Sequence, residues 1–152
     1  MKLTSGRWKK TCDGCKAPLD AASLFSPKCG HVHLEGQAAG PYRLQARLGA
    51  GGMGVVYRAE HEKLGTAFAV KVLHKALASK SEVAKRFLQE AKATSRLRHE
   101  HIIFLADYGE IPGVSPYIAM EYLDGQPLSN VLEQTPILPF RRTFAILEQV
   151  CE

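Results

Sequence analysis

The sequence predicts an α+β chain: a five-stranded antiparallel sheet carrying one long helix, a helical region behind it, and a small cysteine-containing module in front. Three observations predict it. Gly49, Gly51 and Gly54 form a G-x-G-x-x-G turn between two strand-like stretches. Phe68-Ala69-Val70-Lys71 reads as a further strand and places Lys71 22 residues after Gly49. One amphipathic helical stretch then separates these strands from two more.

The totals fit one modest domain with an appendage. Of 152 residues, 45% are hydrophobic and 23% charged, with a net charge of +5. The first 40 residues hold six Lys/Arg against three Asp/Glu, and the rest hold 14 against 12. So mild an excess reads as a solvated face, and no nucleic-acid partner is expected. No run of apolar residues is long enough for a membrane span. Met1 to Lys10 lacks the apolar centre of a signal peptide, which makes the cytoplasm the expected compartment. Four cysteines there suit thiols or a metal better than disulfides.

Residues 1–36 show little periodicity. Cys12-Asp-Gly-Cys15 is a C-x-x-C knuckle, and Ser26-Pro-Lys-Cys29 resembles a second whose first cysteine is serine. Cys12, Cys15 and Cys29 with His31 or His33 would make a Cys₃His tetrahedral zinc site. A ribbon that has lost its metal, and cysteines unrelated to metal, stay open beside it. A redox C-x-x-C lacks the βαβ context it needs. Residues 37–41, Gln-Ala-Ala-Gly-Pro, read as a linker.

Tyr42, Leu44, Ala46 and Leu48 alternate with Arg43, Gln45 and Arg47, as in a half-buried strand. After the glycines, Val55-Val56-Tyr57-Arg58-Ala59 favours a second strand. A dinucleotide fold would instead open a helix here and place an acid about 20 residues on. The residue near that offset is Lys71, of opposite sign. Glycines let a backbone close over phosphates, and a lysine on the neighbouring strand neutralises them. An unliganded Gly-rich hairpin is the plainer alternative. In the strand Ala67–Leu73, Ala67, Ala69, Lys71 and Leu73 share one face, with Phe68, Val70 and Val72 on the other.

A helix is expected over about Glu82 to Arg98, opened by a Ser79/Glu82 capping box. Val83, Phe87, Thr94 and Leu97 form its apolar stripe, and Glu90 lies on that stripe. An acid there needs a partner, and Lys71 is the obvious one. The alternative puts Glu90 at the solvated edge of the stripe. Strands are then expected over His101–Tyr108 and Pro116–Glu121, joined by Gly109 to Gly113. Ser129–Gln134 and a stretch from Pro139 read as helices. Phe140, Phe144, Leu147 and Cys151 share one side of the latter, with Cys151 read as core-facing.

From Tyr42 onward the chain resembles the N-terminal lobe and hinge of bacterial eukaryotic-like Ser/Thr protein kinases. LGAGGMGVVYRAEH resembles their phosphate loop, FAVKVL their ATP-lysine strand, RFLQEAKATSRLRHEHII their regulatory helix and following turn, and YIAMEYLDGQPL their hinge. His99-Glu100-His101 departs from the usual His-Pro-Asn, which is expected to alter a turn only. The resemblance implies a kinase-like lobe over 42–119, a hinge over 120–126 and the start of a helical lobe over 127–152; the cysteine spacing separately makes residues 1–36 a zinc-ribbon-like module. It implies that amides of Gly49, Ala50, Gly51, Gly52, Met53 and Gly54 cover the ATP phosphates. Lys71 bridges the α- and β-phosphates, and Glu90 holds Lys71. Leu48, Val56 and Ala69 enclose the adenine, with Met120 as gatekeeper. The Glu121 carbonyl and the Leu123 amide bond the adenine edge.

The sequence holds no His-Arg-Asp, Asp-Phe-Gly or Ala-Pro-Glu motif. Asp107-Tyr108-Gly109 only mimics the second, before the hinge, and no metal is assigned to it. The catalytic base and the Mg²⁺ ligands of the family are therefore not found. The reading is a truncated or split kinase that grips ATP and, in a complete enzyme, passes its phosphoryl group to protein Ser/Thr. The alternative is a non-catalytic, pseudokinase-like module that binds nucleotide or a partner beside a zinc-ribbon adaptor.

Overall fold

The computed structural model describes residues 10–12, 15–19, 23–26 and 28–152. The stretch inspected for a signal peptide lies almost wholly outside them, as do Asp13, Gly14 and Pro27 of the knuckles. At the front, β1 (Lys10–Thr11) pairs antiparallel with β2 (Pro18–Leu19). The main sheet contains β3 (Ala38–Ala39), β4 (Tyr42–Ala50), β5 (Gly54–His61), β6 (Ala67–Leu73), β7 (Leu105–Ile111) and β8 (Ser115–Glu121). Its order is β3-β4-β5-β6-β8-β7, antiparallel throughout.

The sheet thus has six strands, not five, and the expected linker supplies the sixth. Ala39 pairs with Tyr42 and is fully buried. Leu44 N–H donates to the Gln37 carbonyl (2.9 Å), and Gly36 N–H to the Leu44 carbonyl (2.7 Å). These bonds tie residues 36–39 to β4 by pairing backbone donors and acceptors of the two segments.

The two faces of β6 divide as period-2 geometry requires. Val70 and Val72 join Tyr57, Tyr117 and Ala119 in a core that Val32 and Leu34 close from the N-terminal side. Each aliphatic side chain buried there stabilises by about 1.5–3 kcal/mol, so Val32 and Leu34 contribute to the core of the lobe. The Tyr57 hydroxyl reinforces the junction. It donates to the Val32 carbonyl (2.9 Å) and accepts from Leu34 N–H (3.1 Å). On the opposite face, Leu73, Leu105 and Ile118 pack against Phe87 and Ala91 of the long helix.

That helix, α2 (Ser81–Thr94), is shorter than expected. A short turn of helix, α1 (Lys75–Ala78), precedes it. Ser79 ends α1 instead of capping α2: its hydroxyl donates to the Ala76 carbonyl (3.0 Å), and Lys80 occupies the N-cap without a side-chain bond. The side chain that packs beside Phe87 is Ala91, four residues on, so Glu90 falls at the edge of the stripe and is exposed.

The strand expected at His101 begins instead at Leu105 and runs through Gly109 to Ile111. Residues before it form a turn on His99, whose carbonyl accepts from Ile102 N–H (3.1 Å) and whose Nδ1 accepts from His101 N–H (3.2 Å). After β8 come α3 (Leu128–Gln134) and α4 (Phe140–Cys151). Phe140 and Phe144 stack at 4.5 Å yet stay exposed, and Cys151 is exposed rather than core-facing, because no described element covers that side of α4. No helix among the described residues is long and apolar enough to cross a membrane.

Candidate functional site

β4 runs to Ala50 and β5 starts at Gly54, leaving Gly51, Gly52 and Met53 as the turn. Gly51 N–H donates to the Gly54 carbonyl (2.9 Å) and closes it. The glycines serve two different needs. Gly54 is buried, and a Cβ there would collide with the Val72 carbonyl of β6. At Gly49, Gly51 and Gly52 a Cβ would meet no atom within 4 Å. Packing does not demand glycine at these three positions. What their missing side chains provide is open space over the backbone, as a phosphate chain requires. Ala50 and Met53 are exposed on the same turn, and Leu48 is exposed at its approach.

His74, which the sequence reading did not single out, holds the turn from below. Its N–H donates to the Met53 carbonyl (2.9 Å), and its Nε2 lies 3.0 Å from the Gly51 carbonyl. A lone histidine after a strand carries no pattern that would have revealed this.

Cross-strand register assembles the rest. Gly49 pairs with Val56, Val56 with Lys71, and Lys71 with Ile118, in one row across four strands. Directly opposed residues share a face, so Val56, Lys71 and Ile118 point the same way. Ala69 pairs with Met120 in the neighbouring row. Ala69 is buried, whereas Val56, Lys71 and Met120 are half-buried. A small residue, a lysine and the open glycine turn therefore meet on one side of the sheet.

Among the described residues no carboxylate pairs with Lys71, and Glu90 is not brought to it. Glu90 occupies the solvated edge position, which the stripe argument left as the alternative. At the end of β8, Glu121 N–H donates to the Phe104 carbonyl (3.0 Å) while its carboxylate accepts from Phe104 N–H (2.6 Å). Leu123 is 62% exposed, and its N–H takes no backbone bond among the described residues. Asp107 lies in β7, away from the glycine turn, and its carboxylate accepts from Tyr108 N–H (2.8 Å).

The cysteines form a second centre. The sulfurs of Cys12, Cys15 and Cys29 all lie within 4.8 Å of one another, with Cys12 and Cys29 3.5 Å apart. Neither His31 nor His33 enters this group. The polar neighbour is instead Ser26, whose hydroxyl lies 3.4 Å from the Cys15 sulfur. The Ser26 hydrogen bond, followed by one from the Ala17 backbone, pulls the Cys15 thiol down to about 6. Ser26 and His31 act to lower Cys29 too, but burial and its sharing of protons with Cys15 and Cys12 leave it raised. The donor chemistry suits a zinc-class ion: three soft sulfurs converge, and the fourth neighbour is a hydroxyl.

Residues 42–152 match the family model described as the protein kinase domain. Serine/threonine-protein kinase Pkn1 of Myxococcus xanthus is 40% identical over 142 residues, which is 90% of this chain and 20% of that protein. That share exceeds what residues 42–152 can supply, so the similarity reaches into the N-terminal segment. Serine/threonine-protein kinase PknA of Mycobacterium tuberculosis is 41% identical over 129 residues, or 82% of this chain and 29% of that protein. The crystal structure of a double mutant of the M. tuberculosis PknI kinase domain matches with a TM-score of 0.66 at 35% identity, covering 76% of this chain and 46% of that one. The apo form of PpkA-294, at 23% identity and a TM-score of 0.60, supports the fold alone. The chain spans less than a third of these curated relatives and about half of the solved PknI domain.

Proposed function

The chain belongs to the protein kinase family, and from that premise we propose that it forms the ATP-gripping lobe of a kinase acting on protein Ser/Thr. Protein kinases use ATP and Mg²⁺. The observation that carries the reading is Lys71: a half-buried cation with no acidic partner among the described residues, in one cross-strand row with Gly49 at the edge of an open glycine turn. A lysine in that position has a function if an anion comes to it. Bound ATP supplies the phosphoryl group. The chain's contribution is to orient the nucleotide and neutralise its charge, with no residue here assigned to Mg²⁺.

In this reading amides of Gly49 to Gly54 engage the phosphates and Lys71 meets the α- and β-phosphates. Leu48, Val56 and Ala69 line the adenine space, with Met120 behind it. The Glu121 carbonyl and the Leu123 amide bond the base. Glu90 must leave solvent to reach Lys71, which makes that pair a contact to be formed rather than one already made. Residues 42–119 are taken as the lobe, 120–126 as the hinge and 127–152 as the first helices beyond it. The cysteine segment is taken as a structural zinc module. The cytoplasm, with its ATP and reducing conditions, is the matching compartment.

Isothermal titration of the chain with ATP tests the assignment. Lys71→Ala is expected to weaken binding at least about tenfold, the scale of one lost charge-assisted contact of roughly 1.5–3 kcal/mol. Equal affinities in the two proteins would overturn it.

A further inference from the structure

We infer that the cysteine centre is a four-cornered site for a zinc-class ion in which Ser26, not a histidine, holds the fourth corner. This rests on the reading of the segment as a metal module and specifies its chemistry. The two knuckles repeat the same bonding. Cys12 N–H donates to the Ala17 carbonyl (2.8 Å), and Lys16 N–H to the Cys12 carbonyl (2.7 Å). Fourteen residues on, Ser26 N–H donates to the His31 carbonyl (2.7 Å), and Gly30 N–H to the Ser26 carbonyl (2.8 Å). The fifth residue of each turn is left-handed, Lys16 at φ 57° and Gly30 at φ 69°. Lys16 is the only non-glycine with positive φ among the described residues, a strained conformation repeated at the same knuckle position. Ser26 is thus the counterpart of Cys12, and Cys29 that of Cys15.

The distances suit an ion. Metal–sulfur bonds of about 2.3 Å in a tetrahedron put the ligands about 3.8 Å apart. The Cys12–Cys29 separation of 3.5 Å and the Cys15–Ser26 separation of 3.4 Å are two edges of such a figure. Both Cys12 and Ser26 are buried, whereas Cys29 is exposed, so the centre has a closed wall and a solvent side. Three thiolates retain a borderline-soft divalent ion, while a neutral hydroxyl is a weak fourth ligand. The site therefore differs from a four-cysteine ribbon in having one weak corner, set in its buried wall.

The test titrates the reduced, metal-free full chain with Zn²⁺ and Co²⁺, followed by native mass spectrometry and by thiolate-to-cobalt absorption. One ion per chain is expected, with a three-sulfur cobalt spectrum. Ser26→Cys should tighten zinc binding at least about tenfold and add a fourth sulfur to that spectrum, whereas the double variant His31→Ala, His33→Ala should stay within about twofold, against the roughly 10–100-fold that even an outer-shell partner commands. A large loss in the histidine variant with no gain in Ser26→Cys would overturn the assignment of Ser26 while leaving the metal module intact. Failure of both the native chain and Ser26→Cys to hold stoichiometric zinc would overturn the metal reading itself.

Discussion

Tyr57→Phe removes a single oxygen and isolates one claim of the fold: that the N-terminal segment is fastened to the sheet. The hydroxyl serves the Val32 carbonyl at 2.9 Å and the Leu34 amide at 3.1 Å, and Tyr57, Val32 and Leu34 are 1%, 1% and 0% exposed. Among the described residues neither backbone group has another hydrogen-bond partner, and both lie in buried residues. Phenylalanine keeps the ring in place but leaves a donor and an acceptor unsatisfied. At about 1–3 kcal/mol for each group so stranded, the loss should be roughly 2–6 kcal/mol. That is a large part of the roughly 5–15 kcal/mol that holds a domain folded. Urea unfolding of the whole chain by circular dichroism should show it. With a denaturant slope of about 2 kcal/mol/M, the midpoint should fall by about 1–3 M. A loss below about 0.5 kcal/mol, the range of an ordinary surface substitution, would refute the reasoning.

Other predictions follow from the glycine turn and from the second tyrosine of the core. Gly54→Ala should destabilise by about 1–3 kcal/mol because its methyl group meets the β6 backbone, whereas Gly51→Ala should change stability by less than about 0.5 kcal/mol and still weaken ATP binding several-fold; paired urea and calorimetric titrations separate the two. Burial, and then the nearby Asp107, push the Tyr117 phenol up to about 12 from its ordinary 10. The folded state favours the neutral phenol, so this contribution to stability is complete below pH 10 and is lost as pH rises through 12. Tyr117→Phe should flatten that alkaline decline in a pH series of urea midpoints.

The residues that sequence reading placed well are those whose signal is local and strong. The glycine turn, the Lys71 strand and the hinge-side strand each carry period-2 or glycine patterns over several residues, and cross-strand register then aligned them. The elements it misplaced depend on tertiary choice. β3 is two residues long, too short for any alternation to register, and Val32 and Leu34 become core only because Tyr57 and β4 receive them. Glu90 and Phe87 lie within one helical turn, so a small rotation of the apolar stripe decides which of Glu90 and Ala91 is buried, and packing chose alanine. The second knuckle, with Ser26 in the place of a cysteine, is legible in the sequence, but the 3.4 Å approach of its hydroxyl to the Cys15 sulfur is not. The turn at His99 is closed by its own local hydrogen bonds, from Ile102 N–H and His101 N–H.

The most direct test of the central claim is an amide spectrum of ¹⁵N-labelled chain as ATP is added. If this lobe holds the nucleotide as argued, the largest changes fall on Gly49 to Gly54 and on Leu123, with the N-terminal face of the sheet unmoved. Saturable ATP binding with those amides unshifted, or changes centred on another surface, would contradict the account.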